Sequence, residues 1–428
     1  MTMLRSFTPM SLVAFLVCSQ ILASCFIVGF PLVLQHQRPI SSLFLEHSSS
    51  SAFRELDAIV NTAPTKDLLD LRTAGTGTYR GVHVRQDVAT GDILLRIDLN
   101  EHCICDDDFL PDWCSTATAA APTENNTKQQ QQWVVRLAAI LLDAYLSPEK
   151  HKVQQLWFSL LPDAQQLRSS LPIHWSEEAV RSTLCRPLEM AVDSMFFTRQ
   201  HAVEALWTAL REARPQQPLN VQWLDDILDL VQTRVCQLQP QTSDGTSTTT
   251  LRCFAPVFDC INHHPLQANA AFGVDDSTKY LMVTAKRDIR ANEEVFIHYG
   301  STSTQPAWKC LLSYGFFVPG PDEEDLVPID DDGSYAVGRT GVPPELLGDP
   351  PTPEMAQKLC TKLQQVFDTL TETSSAASPD NHPAMRLAVA LKQHHRDILR
   401  ACIDNLREWA AENEVSSNNQ EEGSSLAS

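Results

Sequence analysis

Residues Phe258 to Pro265 read FDCINHHP. Asp259, Asn262, His263 and His264 crowd into six positions, and three chemistries fit them. Asp259, His263 and His264 are metal-ligand types. A histidine beside a carboxylate is a general base with its orienter. A turn asparagine, able to donate and accept at once, grips a small polar ligand. The flanking segments have to decide among these.

Downstream, KYLMVTAKRDI (Lys279 to Ile289) and EEVFIHYG (Glu293 to Gly300) read as strands joined through RANE as a hairpin or a tight β-corner. On the second strand Val295, Ile297 and Tyr299 share one face, while Phe296 and His298 point the other way. Tyr299 ends the strand, where Gly300 lets the chain turn sharply. A second Tyr-Gly, Tyr314 and Gly315, follows in LLSYGFF. Two such tyrosines can place two hydroxyls around one pocket, or both can be core aromatics with hydrogen-bonded tips. Upstream, the apolar CFAPVFDCI (Cys253 to Ile261) reads as a strand. YRGVHVRQDV and DILLRIDL read as two more, about the turn Ala89 to Asp92.

Between the strand groups lies a helical block. Trp133, Leu137, Ile140, Leu141 and Tyr145 share a face before Pro148 ends the pattern. Ser176 is placed to cap a helix, with Glu177 and Glu178 at its positive end and Trp175 stapled onto Val180. Pro187 opens a longer helix that ends near Pro215. Val221, Leu224, Leu228, Val231 and Val235 form another stripe. STATAAAPTENNTKQQQQ (Ser115 to Gln132) and QPQTSDGTSTTT read as polar loops. From Pro350 helices return, with Met355, Leu359, Leu363 and Phe367 on one stripe. Leu391, Ile398, Leu399, Cys402, Leu406 and Trp409 form the next. The composition of residues 416–428 predicts disorder. Strands split by more than a hundred residues must meet in space to bury their faces.

The 428 residues suggest two or three domains at about 150 residues each. At 43% hydrophobic and 20% charged, the chain can build a sizeable core. A formal charge of −20 argues against a nucleic-acid binder, which needs a basic footprint, and suits a basic protein or peptide partner. Of the twelve cysteines, Cys103, Cys105 and Cys114 come closest to a cluster, with His102 beside them. Cys103-x-Cys105 is tighter than usual structural zinc spacing. No Asp, Glu, Lys or Arg lies between Arg5 and Arg38, and Met10 to Leu34 is long enough to span a bilayer. That segment reads as a signal anchor or a cleaved signal peptide, followed by a Ser-rich linker or transit peptide.

Four stretches, in order, resemble the SET-domain methyltransferases: RGVHVRQDVATGDILLRI, PVFDCINHHPLQANA, AKRDIRANEEVFIHYG and LLSYGF. SLPIHWSEEAVRSTL and VQTRVCQL are similar to segments of the helical insertion in the group around the Rubisco large-subunit lysine methyltransferase. The resemblance implies an α+β chain. A β-rich SET fold with a pseudoknot covers 65–318, with a helical insertion at about 106–248. A helical, substrate-binding-like domain follows at 320–415, and 1–60 precedes it as anchor and linker. The implied cofactor is S-adenosylmethionine and the implied partner a lysine-containing protein.

By the same resemblance, Arg80, Gly81 and Val82 form the N-terminal cofactor loop. The Asn262 side chain and the His263 backbone hold the cofactor's amino-acid and adenine parts. Arg234 lies beside the cleft and Phe316 on the adenine. Tyr299 orients the amine and the methyl group, and Tyr314 completes the pocket. The sequence departs from the pattern in a tail from 320 that is compact, and in the segment before Tyr314. Fifteen positions separate Tyr299 from Tyr314, about two more than usual, and Ala307, behind Pro306, stands where an Asn is usual. Histidine methylation, a partner-binding module without catalysis, and a metal hydrolase at Asp259, His263 and His264 remain as rivals. A reduced compartment for the cofactor and an N-terminal apolar segment fit a membrane anchor facing the cytosol, or delivery into a plastid.

Overall fold

A computed structural model describes residues 49–65, 67–74, 79–114, 126–147, 152–216, 220–238, 250–275, 278–300, 306–319, 325–330, 333–349, 351–372 and 382–425. Met10 to Leu34 lies outside them. Among the described residues no helix is long and apolar enough to cross a membrane.

The Ser-rich stretch ends in a helix, α1 (Ser49–Val60), not in open linker. Composition hides it, but Ala52, Phe53, Leu56 and Val60 fall on one stripe and are buried. Each of the larger three contributes about 1.5–3 kcal/mol by leaving water. Asp70 ties α1 to the next strand, accepting from Ser50 and Arg54. That strand, β1 (Leu69–Ala74), pairs antiparallel with β2 (Tyr79–Val84).

The turn Ala89 to Asp92 separates strands that join different sheets. Beyond it, β3 (Ile93–Asp98) leaves β2 and pairs with β9 (Tyr280–Ala285), whose other edge holds β8 (Ala270–Asp275). A short helix α2 (Leu99–His102) leads into β4 (Ile104–Cys105). Strand β6 (Leu251–Phe254) pairs with β4 on one side and β5 (Cys236–Leu238) on the other. The apolar run from Cys253 therefore stops being strand after Phe254. A 3-10 turn at Phe258–Cys260 follows, entered through Val257 at φ 72°. The run is apolar because its residues are buried, not because they are extended.

The segment 293–297 joins the halves. Val84 N donates to Glu293 O and Val295 N to Val82 O. Two residues on, β10 (Phe296–Ile297) lies parallel to β7 (Asn262–His263). Of the two readings of RANE, the β-corner is the one observed, because β9 and β10 lie in separate sheets. Val295 and Ile297 face the core as the alternation predicts.

Helices fill the interval: α3 (Asn126–Leu146), α4 (Lys152–Phe158), α5 (Ala164–Ser170), α6 (Glu177–Arg181), α7 (Arg186–Ala213) and α8 (Val221–Arg234). Helix α3 starts inside the stretch read as a polar loop; nothing in Asn126 to Gln132 breaks a helix. Ser176 caps α6 as expected, accepting from Ala179 N. On α8, Leu224, Leu228 and Val231 are buried, but Val221 in the first turn is exposed.

Helix α9 (Ala307–Tyr314) follows β10, ending at Gly315 with φ 74°, a left-handed cap suited to glycine. The short pair β11 (Val327–Pro328) and β12 (Ala336–Val337) precedes α10 (Pro353–Glu372) and α11 (Pro383–Ser425). Helices α10 and α11 share a core of Leu359, Leu363, Ile398, Leu399 and Cys402. Helix α11 continues to Ser425, through most of the stretch whose composition predicts disorder. That stretch has no proline to end it. No described strand exceeds six residues, while α7 has 28 and α11 has 43, so helix outweighs strand.

Candidate active site

Gly81 sets the closest approach. A Cβ there would overlap the Glu294 carboxylate and come within 3.1 Å of Asn262 Nδ2, so β2 lies against these side chains only with glycine. Asn262 Nδ2 donates to Arg80 O at 2.7 Å and to Glu294 Oε1 at 2.8 Å. Both partners are acceptors, which fixes the nitrogen end of the amide. The amide oxygen is what Asn262 has left to offer a ligand. Val82 points into the core, and its carbonyl accepts from Val295, so it braces this corner with its whole residue.

His263 is buried and stacked on Tyr299, ring centroids 5.2 Å apart. Its Nδ1 sits 3.2 Å from Tyr299 N and 3.3 Å from Ile297 O, so backbone pins the ring in either tautomer. Burial, then the neighbouring His298, push its pKa down to about 4, leaving it neutral at pH 7. His264 turns away, its Nδ1 accepting from Leu266 N and Gln267 N.

The Tyr299 hydroxyl donates to Ile261 O at 2.8 Å. Burial holds its pKa well above the ordinary tyrosine value, so it remains a donor. The Tyr314 ring meets it edge-on at 5.0 Å, and Phe316 lies 6.1 Å beyond Tyr314. Helix α9 positions this second tyrosine. Its first N–H, at Ala307, donates to the buried Asp325 carboxylate at 3.0 Å, so a residue from outside the helix supplies the acceptor there. Residues 301–305 of the same loop lie outside the described residues.

A buried polar cluster closes the floor. Arg234, at the end of α8, donates through Nη1 to Asp259 O at 2.9 Å, while its Nε is buried without a partner among the described residues. Asp259 Oδ2 accepts from Trp157 Nε1 at 3.0 Å. Burial raises the Asp259 pKa, and Arg234 pulls it back. Arg80 feels the same cluster; burial lowers its pKa. A cleft of about 1070 Å³ runs over this floor, lined among others by Arg234, Asp259, Ile297, Tyr299 and Tyr314.

The structure thus gathers Arg234, Tyr299 and Tyr314 on the cleft. Asn262, Arg80 and Gly81 are knotted beside them, His263 is reached through Tyr299, and Phe316 through Tyr314. Sequence reasoning missed Trp157 and Glu294 and weighed Asp259 as a metal ligand or as the orienter of a histidine base. Glu294 sits beside Glu293 at the head of the strand segment with nothing to mark its role, and Trp157, 102 positions from its partner, left no signal either. Asp259, His263 and His264 serve separate partners and do not converge. Among the described residues the cluster of ligand-type atoms is Cys105, Asp107 and Asp108, not the set around His102 and Cys114.

A model of the SET domain matches residues 79–300, just over half of the chain. The chain belongs to the SET-domain family. The matched range encloses α3 to α8, so these helices interrupt the SET domain. The fold is similar to that of the SET domain of LSMT bound to lysine and AdoHcy, with TM-score 0.50 and 15% identity over 86% of this chain and 92% of that one. It is likewise similar to Rubisco LSMT bound to sinefungin and monomethyllysine, with TM-score 0.51 and 14% identity over 86% and 93%. The SET fold with helical insertion and helical C-terminal region is therefore this chain's architecture. No match to a curated protein was found.

Proposed function

We propose that this SET-domain chain is an S-adenosylmethionine-dependent protein-lysine N-methyltransferase. The observation that carries the reading is the tyrosine pair: a protonated Tyr299 hydroxyl fixed on Ile261 O, with Tyr314 5.0 Å away on the cleft. The SET membership and the lysine and monomethyllysine bound by the structural relatives support it.

The residues present fit the cofactor. Gly81 lets β2 approach the Asn262 and Glu294 side chains closely, and the Asn262 oxygen is an acceptor for an ammonium group. Arg234, with an unpartnered buried Nε, suits a carboxylate. Arg80, Gly81, Val82, Arg234, Asn262, His263, Tyr299 and Phe316 would hold S-adenosylmethionine, which supplies a methyl group already activated on a sulfonium. The chain supplies position. A lysine amine starts from a pKa of about 10.4, and burial in the cleft lowers it. Tyr299 and the backbone carbonyls beside it orient the neutral amine, Tyr314 narrows the pocket, and such placement is worth about 10²-fold per Å. The same reading assigns α10 and α11 to substrate docking, in a region of about 320–415 behind a SET region of about 65–318. The acidic chain suits a basic protein substrate.

The test is transfer of labelled methyl from S-adenosylmethionine to protein in a cell extract, with Tyr299→Phe and Asn262→Ala in parallel. Label on lysine, lost in both variants, is expected. Label on histidine instead would reassign the acceptor. Folded protein that neither transfers label nor binds the cofactor would overturn the reading in favour of a binding module.

A further inference from the structure

Beside the cleft, three cysteines share one small sheet and a fourth, Cys103, immediately precedes its first strand. Cys105 on β4, Cys253 on β6 and Cys236 on β5 stand in register across the three strands. Cross-strand neighbours project from the same face. Cys236 Sγ lies 3.4 Å from Cys253 Sγ, and the Cys253 thiol also interacts with those of Cys103 and Cys105. None of them is in a disulfide. Cys236 is half-buried and lines the cleft, whereas Cys253 is fully buried. Cys236 is therefore the member of the pair that borders the cleft, and Cys253 is enclosed in the core.

Directly opposed antiparallel residues have Cα atoms about 4.5–5.5 Å apart, inside the roughly 4.4–6.8 Å range that a disulfide spans. The sulfurs have only to close from 3.4 Å to about 2.05 Å. The pair also sits where movement matters. Cys236 is two residues after Arg234. Cys253 adjoins Phe254, whose ring packs 5.2 Å from Trp157, the donor to Asp259.

We infer that Cys236 and Cys253 are a reversible thiol–disulfide site in the cleft wall, opened to hydroperoxide oxidants through Cys236. The Cys236 sulfur attacks the O–O bond of hydrogen peroxide, giving a sulfenic acid and one water. The Cys253 sulfur then attacks the Cys236 sulfur, and the departing hydroxide takes the Cys253 proton as a second water. Two thiols and one peroxide become one disulfide and two waters. The neighbouring thiols of Cys103, Cys105 and Cys236, with burial, hold the Cys253 pKa well above the ordinary range. A thiol so held is a poor first nucleophile, so the attack on peroxide falls to Cys236. Because the link tightens the strand that follows Arg234, the oxidised form is the weaker enzyme. This last consequence rests on the proposed function; the disulfide itself does not.

The test treats full-length reduced protein with hydrogen peroxide, followed by digestion without reductant and mass spectrometry. A Cys236–Cys253 peptide pair is expected, two hydrogens lighter than its parts and released by dithiothreitol. Cys236→Ser should abolish it. Cys253→Ser should instead leave Cys236 captured by a 1,3-dicarbonyl sulfenic-acid probe. Methyl transfer should fall by about tenfold to a hundredfold on oxidation and return on reduction, misplacement of about 1 Å costing up to about 10²-fold. Cys236→Ser should make transfer indifferent to peroxide. Cys236 oxidised in the wild type without the bridge, or a bridge that omits Cys236, would overturn the inference. A bridge that forms in protein with no methyl transfer, even when reduced, would sink the enzymatic reading and leave the site standing.

Discussion

Asp229, fully buried, and Asp259, half-buried on the cleft, are carboxylates of the same SET region, and they are treated in opposite ways. Asp229, on α8, accepts from Arg199 Nη2 and His174 Nε2, each at 2.8 Å. Asp325, beneath α9, is handled likewise. It takes His394 Nε2 at 2.5 Å and the N–H groups of Ala307 and Leu326, and although burial works against it, His394 first among these partners keeps its pKa low. Among the described residues the Asp259 carboxylate receives the Trp157 N–H and a weak thiol contact, and burial raises its pKa. A saturated carboxylate is committed to the fold. One left short of partners, beside an arginine also left short, is held for something that arrives later.

The contrast is most directly broken at Asp229. Asp229→Ala strands His174 and leaves Arg199 to Asp225 alone, and should cost about 3–5 kcal/mol of unfolding free energy, the usual penalty for removing one member of a buried pair. Denaturant unfolding measures it. A loss below about 1 kcal/mol would mean that Asp229 is no more structural than Asp259.

His395 gives the next largest effect. It is buried on α11 next to His394, its Nε2 has no partner among the described residues, and burial pushes its pKa down to about 4. The unfolded residue binds a proton below about pH 6.5, and the folded one only near pH 4. Protons therefore favour the unfolded chain in that window. The stabilisation is complete above pH 6.5 and is lost as pH falls, by about 3 kcal/mol at pH 4. His395→Gln should remove that slope, so the wild-type and variant stabilities should converge or cross between pH 6.5 and 4. Parallel pH curves would show that His395 titrates freely in the fold.

Gly81→Ala comes third. Its Cβ displaces the Glu294 carboxylate, the movable end of a side chain, so the cost is chiefly the lost hydrogen bond to Asn262, about 1 kcal/mol. Because the collision falls on the Asn262 anchor, S-adenosylmethionine affinity should fall with it. Unchanged affinity in a calorimetric titration would remove Gly81 and Asn262 from the cofactor site.

The committed residues were legible in the sequence where they repeat; the uncommitted ones were legible only by resemblance. The stripes on α8, α10 and α11, the Ser176 cap and the inward Val295 and Ile297 follow from period and propensity. Strand partners do not. The strands on either side of Ala89 to Asp92 look like a hairpin, yet β2 pairs with β1 and β3 with β9, because register depends on faces that only the assembled sheets supply. Helix α1 was hidden by serine composition. Within the site, Tyr299 and Tyr314 announced themselves through their glycines. Trp157 and Asp325 act from over a hundred residues away and from behind the helix they serve, and no local pattern marks either.

The smallest effect on stability is the one that tests the contrast most sharply. In Asp259→Asn the amide oxygen can still accept from Trp157, and Arg234 keeps its bond to the backbone carbonyl of residue 259. Removing a charge that burial already disfavours should leave stability within about 1 kcal/mol or raise it slightly. Binding should respond differently. S-adenosylmethionine and S-adenosylhomocysteine share ammonium and carboxylate groups and differ by the sulfonium charge. A half-buried carboxylate on the cleft floor favours the charged form. Losing it should narrow the preference for S-adenosylmethionine by about tenfold, a modest share of the few kcal/mol that a charge pair is worth at about 4 Å in a protein-like dielectric. Equal weakening of both ligands would move Asp259 to the shared amino-acid end. A stability loss matching that of Asp229→Ala would show that Asp259 too is committed to the fold, and the distinction between the two carboxylates would fall.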